Sequence, residues 1–191
     1  MLLRTFWGLQ VEGLHRLPSP PYIVAANHSS EVDPLILGAS LPGHLIFMVS
    51  RHLEQFPLLF RLIRAFDPIL VRRGLADIAG VRTAIARLAG GETVVIYPEG
   101  RVVQEQELGP LHAGLGLIAL RAAVPVVPVA ISGAARMWPL GTRWPRPSRI
   151  EVRIGAPIIA GSGDDARTLT ARLRDALLDL LEGPPSRAQT V

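Results

Sequence analysis

His28 and Asp33 stand five positions apart in the stretch Asn27-His28-Ser29-Ser30-Glu31-Val32-Asp33, directly after the apolar run Tyr22 to Ala26. An imidazole held by a carboxylate is a general base suited to taking a proton from a hydroxyl. The chain has no cysteine, and none of its serines lies in the Gly-x-Ser-x-Gly turn that presents a nucleophile. A base without its own nucleophile points to direct transfer onto a substrate hydroxyl. The same two residues also suit an ordinary helix-capping turn, so the spacing alone leaves both readings open.

Two further polar clusters follow apolar runs. Arg72-Arg73-Gly74 comes after Pro68 to Val71, and Pro98-Glu99-Gly100-Arg101 comes after Thr93 to Ile96. In the second of these, Gly100 is expected to offer a backbone N–H to a developing oxyanion, while Glu99 and the arginines organise a charged acceptor. The alternative is a local Glu–Arg surface pair, which contributes little to stability.

The elements that must position these groups alternate between strand-like and helical patterns. Strands are expected at Tyr22 to Ala26, Leu45 to Val49, Pro68 to Val71, Thr93 to Ile96, Val126 to Ile131 and Ile150 to Ile154. Helices are expected at Pro34 to Ser40, Leu53 to Ala65, Ala76 to Leu88, Leu111 to Ala122 and Asp164 to Leu181, the first with Asp33 as N-cap and Pro34 at its first position. This alternation predicts an α/β fold, a single domain with a central, largely parallel sheet flanked by helices. Runs apolar on both faces, such as Val94-Val95-Ile96, suit strands covered on both sides. Ligands of such sheets bind beyond the carboxyl ends of the strands. His28, Arg72-Arg73 and Glu99 to Arg101 all follow strands, so the three clusters are expected to meet in one cleft.

At 191 residues one domain is the default, expected over residues 1–183, with 184–191 as a short flexible tail. No secretory signal is legible, and the longest uncharged stretch, Pro34 to Ser50, falls below the roughly 20 residues of a spanning helix. All 20 basic residues are arginine. The lack of lysine excludes Schiff-base chemistry and a P-loop. No residues stand at metal-ligand spacing, and no cofactor is expected. The formal net charge of +4, with arginines scattered and aromatics few, suits an anionic membrane surface better than nucleic acid.

Asn27-His28 to Asp33, Val71-Arg72-Arg73-Gly74, Tyr97-Pro98-Glu99-Gly100 and Val124-Pro125-Val126-Val127-Pro128-Val129 together resemble the four ordered blocks of the glycerolipid acyltransferase family. The resemblance runs from about Leu9 to Pro157. It implies a glycerol-3-phosphate acyltransferase-like fold. It also implies an O-acyltransferase moving a fatty acyl group from acyl-CoA or acyl-carrier protein to a lysophospholipid, 1-acylglycerol-3-phosphate first among candidates. In that reading His28 is the base and Asp33 its orienting partner. Arg73, Glu99, Gly100 and Arg101 bind substrate, and Pro128 belongs to the acyl-donor or packing region. No covalent intermediate and no metal are needed.

Two departures bear on the acceptor. Arg101 follows Gly100 directly where the family's third block commonly continues Thr-Arg-Ser. Leu111-His112-Ala113-Gly114 stands where many members have Phe-Lys-x-Gly, which removes a cation that a phosphate-bearing acceptor would meet. A non-phosphate lipid acceptor, a hydrolase using water, and a non-catalytic lipid-binding module therefore remain alternatives. With few residues before the first block, attachment is expected to be peripheral, at the cytoplasmic face of the cell membrane and without an N-terminal anchor. Phe56 to Phe66, apolar with spaced arginines, and the segment Arg136 to Arg153 with Trp138 and Trp144 are the two candidate contact surfaces.

Overall fold

Strands that are apolar on both faces can only be stable between two helical layers, and this arrangement is found in a computed structural model of the chain. The structure describes residues 7–55, 57–64, 66–72, 77–103, 107–139, 142 and 144–183. Seven strands form one sheet: β1 (Gln10–Glu12), β2 (Ile23–Ala26), β3 (Leu45–Ser50), β4 (Ile69–Val71), β5 (Thr93–Ile96), β6 (Val126–Ser132) and β7 (Glu151–Ile154). Their order across the sheet is β1-β7-β6-β2-β5-β3-β4. From β6 to β4 all neighbours are parallel, whereas β7 runs antiparallel to β6 and carries β1 parallel to itself. The largely parallel α/β fold expected from the sequence is thus the fold observed.

Alternate residues of the central strands enter two cores. Val24 and Ala26 of β2, with Val127, Val129 and Ile131 of β6, pack against Ile36 and Leu37 of helix α1 (Asp33–Ser40). Ile23 and Ala25, with Val94 and Ile96, face Ala84 and Leu88 of α3 (Ile78–Ala89) and Ile118 of α4 (Gly114–Ala122). Leu169, Leu173 and Leu177 of α6 (Ala166–Glu182) complete that second core. All four residues of β2 are fully buried, so this strand is the rigid centre from which residue 27 emerges.

Several boundaries differ from the sequence expectation for identifiable reasons. The helix expected at Leu53 to Ala65 divides into a 3-10 turn, Arg51–Gln55, and α2 (Pro57–Arg64). Proline disfavours helical geometry at the residue before it and suits the first turn of a new helix. Helix α4 starts at Gly114 rather than Leu111, and the backbone N–H of His112, ahead of it, is donated to the carbonyl of Pro98. The strand β1 and the short helix α5 (Ala134–Met137) carry too few periodic residues to stand out in the sequence. The tail 184–191 lies outside the described residues.

Candidate active site

Strand β2 ends at Ala26, and the next residue continues its ladder with a side chain. The Asn27 amide donates to the Ile131 carbonyl at 3.0 Å and accepts from the Ile131 N–H at 2.7 Å, so it stands in for one further peptide of β2 beside β6. The backbone is thereby released from the sheet while the register is kept. This role of Asn27, which is buried, was not legible from the sequence.

His28 emerges at that point, and Asp33 folds back beneath it. His28 Nδ1 lies 2.9 Å from Asp33 Oδ2, which also accepts the N–H groups of Ser29 at 2.8 Å and Ser30 at 2.9 Å. The expected capping role of Asp33 is corrected here: the carboxylate turns away from its helix, and Val32 is the N-cap with no side-chain bond. Three donors converging on one oxygen let a carboxylate sit at a fully buried position. An ionised carboxylate only accepts, so Nδ1 carries the proton and Nε2 presents its lone pair. Among the described residues Nε2 has no partner, and the His28 side chain keeps 15% of its surface exposed.

The loop after β5 encloses this histidine on three sides. Glu99 Oε1 accepts the His28 N–H at 3.1 Å, the Val103 N–H donates to the His28 carbonyl at 2.7 Å, and the Tyr97 ring stacks on the imidazole with centroids 4.2 Å apart and planes 19° apart. Glu99 Oε2 takes the Gly109 N–H at 3.3 Å; a Cβ at residue 109 would approach that oxygen to 3.0 Å, so a larger residue there would press on the carboxylate. Burial raises the Glu99 carboxyl above the usual range, against the N–H groups of His28 and Gly109 that favour its charge. Burial, and secondarily the Asp33 charge, raise the Tyr97 phenol well above its ordinary value, so it stays protonated. Its hydroxyl is buried with no hydrogen-bond partner among the described residues.

These contacts revise what the third cluster does. Gly100, at φ +65°, donates its N–H to the Tyr97 carbonyl at 3.0 Å and closes a turn with Pro98 at its second position. That N–H is therefore spent, and the expected oxyanion donor is not available there. The Glu99 carboxylate faces inward, toward backbone, rather than toward an acceptor. Arg101 is exposed, and nothing among the described residues pairs with its guanidinium. His112 also belongs to this rim, since a Cβ at Gly100 would meet its ring at 3.4 Å.

Of the second cluster only Arg72 lies within the described residues, and it stands apart from the other two clusters. Two strand intervals lie between β5 and β4, and three between β2 and β4, or about 14 Å at ~4.8 Å per interval. Arg72 is exposed, with its N–H on Asp77 Oδ2 at 2.7 Å. Asp77 in turn caps α3 by accepting from Gly80, and these N–H groups hold its carboxyl below the usual range. Arg73 lies outside the described residues. Among the described residues no group of three or more His, Asp or Glu side chains is placed to hold a metal.

A family model described as Acyltransferase matches residues 8–132, the span that holds β2, α1, β5 and both loops of this site. The chain belongs to the Acyltransferase family. An ovine protein named 1-acyl-sn-glycerol-3-phosphate acyltransferase alpha is 28% identical over 184 residues, covering 92% of this chain and 64% of the relative. A Pseudomonas aeruginosa protein named lyso-ornithine lipid O-acyltransferase is 34% identical over 116 residues, covering 60% of this chain and 44% of the relative. The chain thus spans less than two thirds of the length of these curated relatives. The crystal structure of a 1-acyl-sn-glycerophosphate acyltransferase from Thermotoga maritima superposes with a TM-score of 0.79 at 26% identity, covering 95% of this chain and 74% of that one. The likeness to this acyltransferase-family chain therefore extends over nearly all of it and not the site loops alone.

Proposed function

We propose that this chain is an O-acyltransferase that moves a fatty acyl group from a thioester, acyl-CoA or acyl-carrier protein, to the free hydroxyl of a lysolipid. The observation that carries the reading is the bond from His28 Nδ1 to Asp33 at 2.9 Å, with Nε2 open at the carboxyl end of β2. Nε2 takes the proton of the acceptor hydroxyl as its oxygen attacks the thioester carbonyl. The C–S bond then breaks and the proton passes to the departing thiolate. Asp33 holds the tautomer and offsets the imidazolium charge while Tyr97 covers one ring face. A base positioned in this way is worth about 10²–10⁴ in rate. Arg101, and Arg73 from the second block, are the cations proposed to place an anionic acceptor.

The acceptor has two readings. The relatives named for glycerol-phosphate acylation favour 1-acylglycerol-3-phosphate. His112, standing where many members carry lysine, and the relative named for a lyso-ornithine lipid favour an acceptor without phosphate. The test incubates a long-chain acyl-CoA with lysophosphatidic acid, a lyso-ornithine lipid or no acceptor, following thiol release and lipid product beside a His28→Ala variant. Product that vanishes in the variant supports the base, and the acceptor that yields it decides between the two. Thiol release without acceptor would replace the transferase by a hydrolase. Binding of lipid without any turnover from either thioester donor would leave a lipid-binding module.

The substrates proposed are amphiphiles, and attachment to a bilayer surface is part of the proposal. Among the described residues no helix is long and apolar enough to cross a membrane. Of the two surfaces suggested by the sequence, Phe56 and Ala65 lie outside the described residues, as do the side chains of Pro57, Leu58, Leu59 and Leu62. Phe66 is exposed at that segment's end.

A further inference from the structure

We infer that the loop from Arg136 to Arg149 is a docking surface for an anionic lipid bilayer, set beside the mouth of the His28 site. The inference deepens the proposed function, because it names the surface through which a lysolipid acceptor would be reached. In these 14 residues there are four arginines, two tryptophans and no acidic side chain. Trp144 is 75% exposed and Trp138 38%. Tryptophan is usually largely buried, so two left in solvent on one loop mark an interaction surface. The indole, apolar with one N–H, is suited to the head-group level of a bilayer.

The described residues of the loop, all but 140, 141 and 143, are held by hydrogen bonds. Arg146 N–H closes its base on the Met137 carbonyl at 2.8 Å, and Met137 itself is buried in the core. Trp7 Nε1 donates to the Arg146 carbonyl at 2.9 Å, and Trp138 Nε1 donates to the Thr142 carbonyl at 3.1 Å. Arg136, Arg146 and Arg149 are exposed, and nothing among the described residues pairs with the Arg146 guanidinium. A pocket of about 270 Å³ opens beside the loop, lined by Arg136, Arg149 and Arg153; Glu151 in its wall pairs with Arg149 at 3.2 Å and Arg153 at 2.8 Å, and Glu12 lies 3.9 Å from Arg153, so the arginines still outnumber the carboxylates. The charge of this face complements anionic head groups.

Its position links the surface to the site. The loop follows α5, which leaves the carboxyl end of β6, the neighbour of β2. The Ser30 hydroxyl lies 3.5 Å from the Trp138 carbonyl, and Ser30 N–H is bonded to Asp33. Leu35, 65% exposed on the first turn of α1, adds an apolar side chain two residues beyond Asp33.

The test is flotation of the full chain with vesicles of phosphatidylcholine alone and of phosphatidylcholine with phosphatidylglycerol, with tryptophan emission recorded. The chain is expected to float with the anionic vesicles, more weakly as salt is raised, and to shift its emission to the blue. Arg146→Ala should weaken the partition about fivefold, since one arginine near such a surface contributes on the order of 1 kcal/mol. Adding Trp144→Ala should weaken it further and remove most of the blue shift, with the thermal midpoint unchanged. His28→Ala should float as the parent does, so a failed catalytic reading would leave this result standing. A parent chain that stays soluble with anionic vesicles, equal binding to both compositions, or a double variant that floats undiminished would each overturn the proposal.

Discussion

The loops after β2 and β5 both leave fully buried strands with polar residues, yet they use those residues in opposite ways. The first turns side chain toward side chain and leaves the His28 Nε2 open. The second spends its carboxylate and its turn N–H inward: Glu99 holds the N–H groups of His28 and Gly109, and Gly100 closes onto Tyr97. In the mechanism proposed, one loop carries the chemistry and the other supports the histidine. Residues in a charged motif are thus not all turned toward a ligand. A buried carboxylate aimed at backbone positions its neighbour, and its loss should be felt first as stability.

The largest expected effect falls on the first loop. His28→Ala should lower turnover by about 10²–10⁴ while the fold persists, because Ser29 and Ser30 still solvate Asp33; thiol release and circular dichroism together check this. A variant that loses both would erase the distinction between the loops. Glu99→Ala should act on the fold instead. It orphans the buried N–H of Gly109 and the partly buried N–H of His28, at about 1–3 kcal/mol each, which lowers the melting midpoint by roughly 4 °C or more in calorimetry. A variant with the parent's midpoint but a changed KM alone would return Glu99 to the acceptor.

Glu99→Gln sharpens the comparison through pH. Burial raises the folded-state value of Glu99, so the folded protein holds that proton more tightly than the unfolded chain. The group's contribution is therefore fully present at acid pH and is lost as pH rises through the folded value. Against Glu99→Gln, which cannot ionise, the parent should lose ground in urea midpoints from about pH 4 toward 7. A difference constant with pH would show the carboxyl to be no worse charged than neutral.

Tyr97 separates packing from its hydroxyl. Tyr97→Phe keeps the stack and removes a buried, unpaired hydroxyl, so activity should stay within about twofold and stability should hold or rise by about 1 kcal/mol. Tyr97→Leu loses the stack and should cost about two- to tenfold in kcat, in line with aromatic pairs worth ~0.5–1.5 kcal/mol. The smallest effects belong to the exposed arginines. Arg101→Ala should raise KM for an anionic acceptor more than it lowers kcat, and Arg72→Ala, at the far edge of the sheet, should do neither.

Much of this was legible in the sequence because period and composition report burial directly. Runs such as Ile23-Val24-Ala25-Ala26, short and closed by a polar turn, suit strands covered on both sides, and the His28–Asp33 spacing fits a fold-back turn. What stayed hidden depends on pairing across the chain. The Asn27 amide finds its partner at Ile131, and Glu99 finds His28 and Gly109, contacts that no local pattern encodes. The Tyr97 stack was equally invisible, since an aromatic at the end of a buried strand reads as core. Arg72 was expected to join the other two clusters because each follows a strand, but its place depends on strand order, and β3 separates β4 from β5.

Strand β1 has one partner, β7, nearly the whole sequence away, with Gln10 opposite Glu151. On a ribosome, β1 emerges before the other six strands and is among the last of them to be seated. The strands that frame His28 are all synthesised earlier, so the histidine's surroundings can assemble on a growing chain while β6 still shows a bare edge. Such an edge invites pairing with another nascent chain. The arrival of residues 150–154 then closes the β6 edge, and the outer strands become β1 and β4.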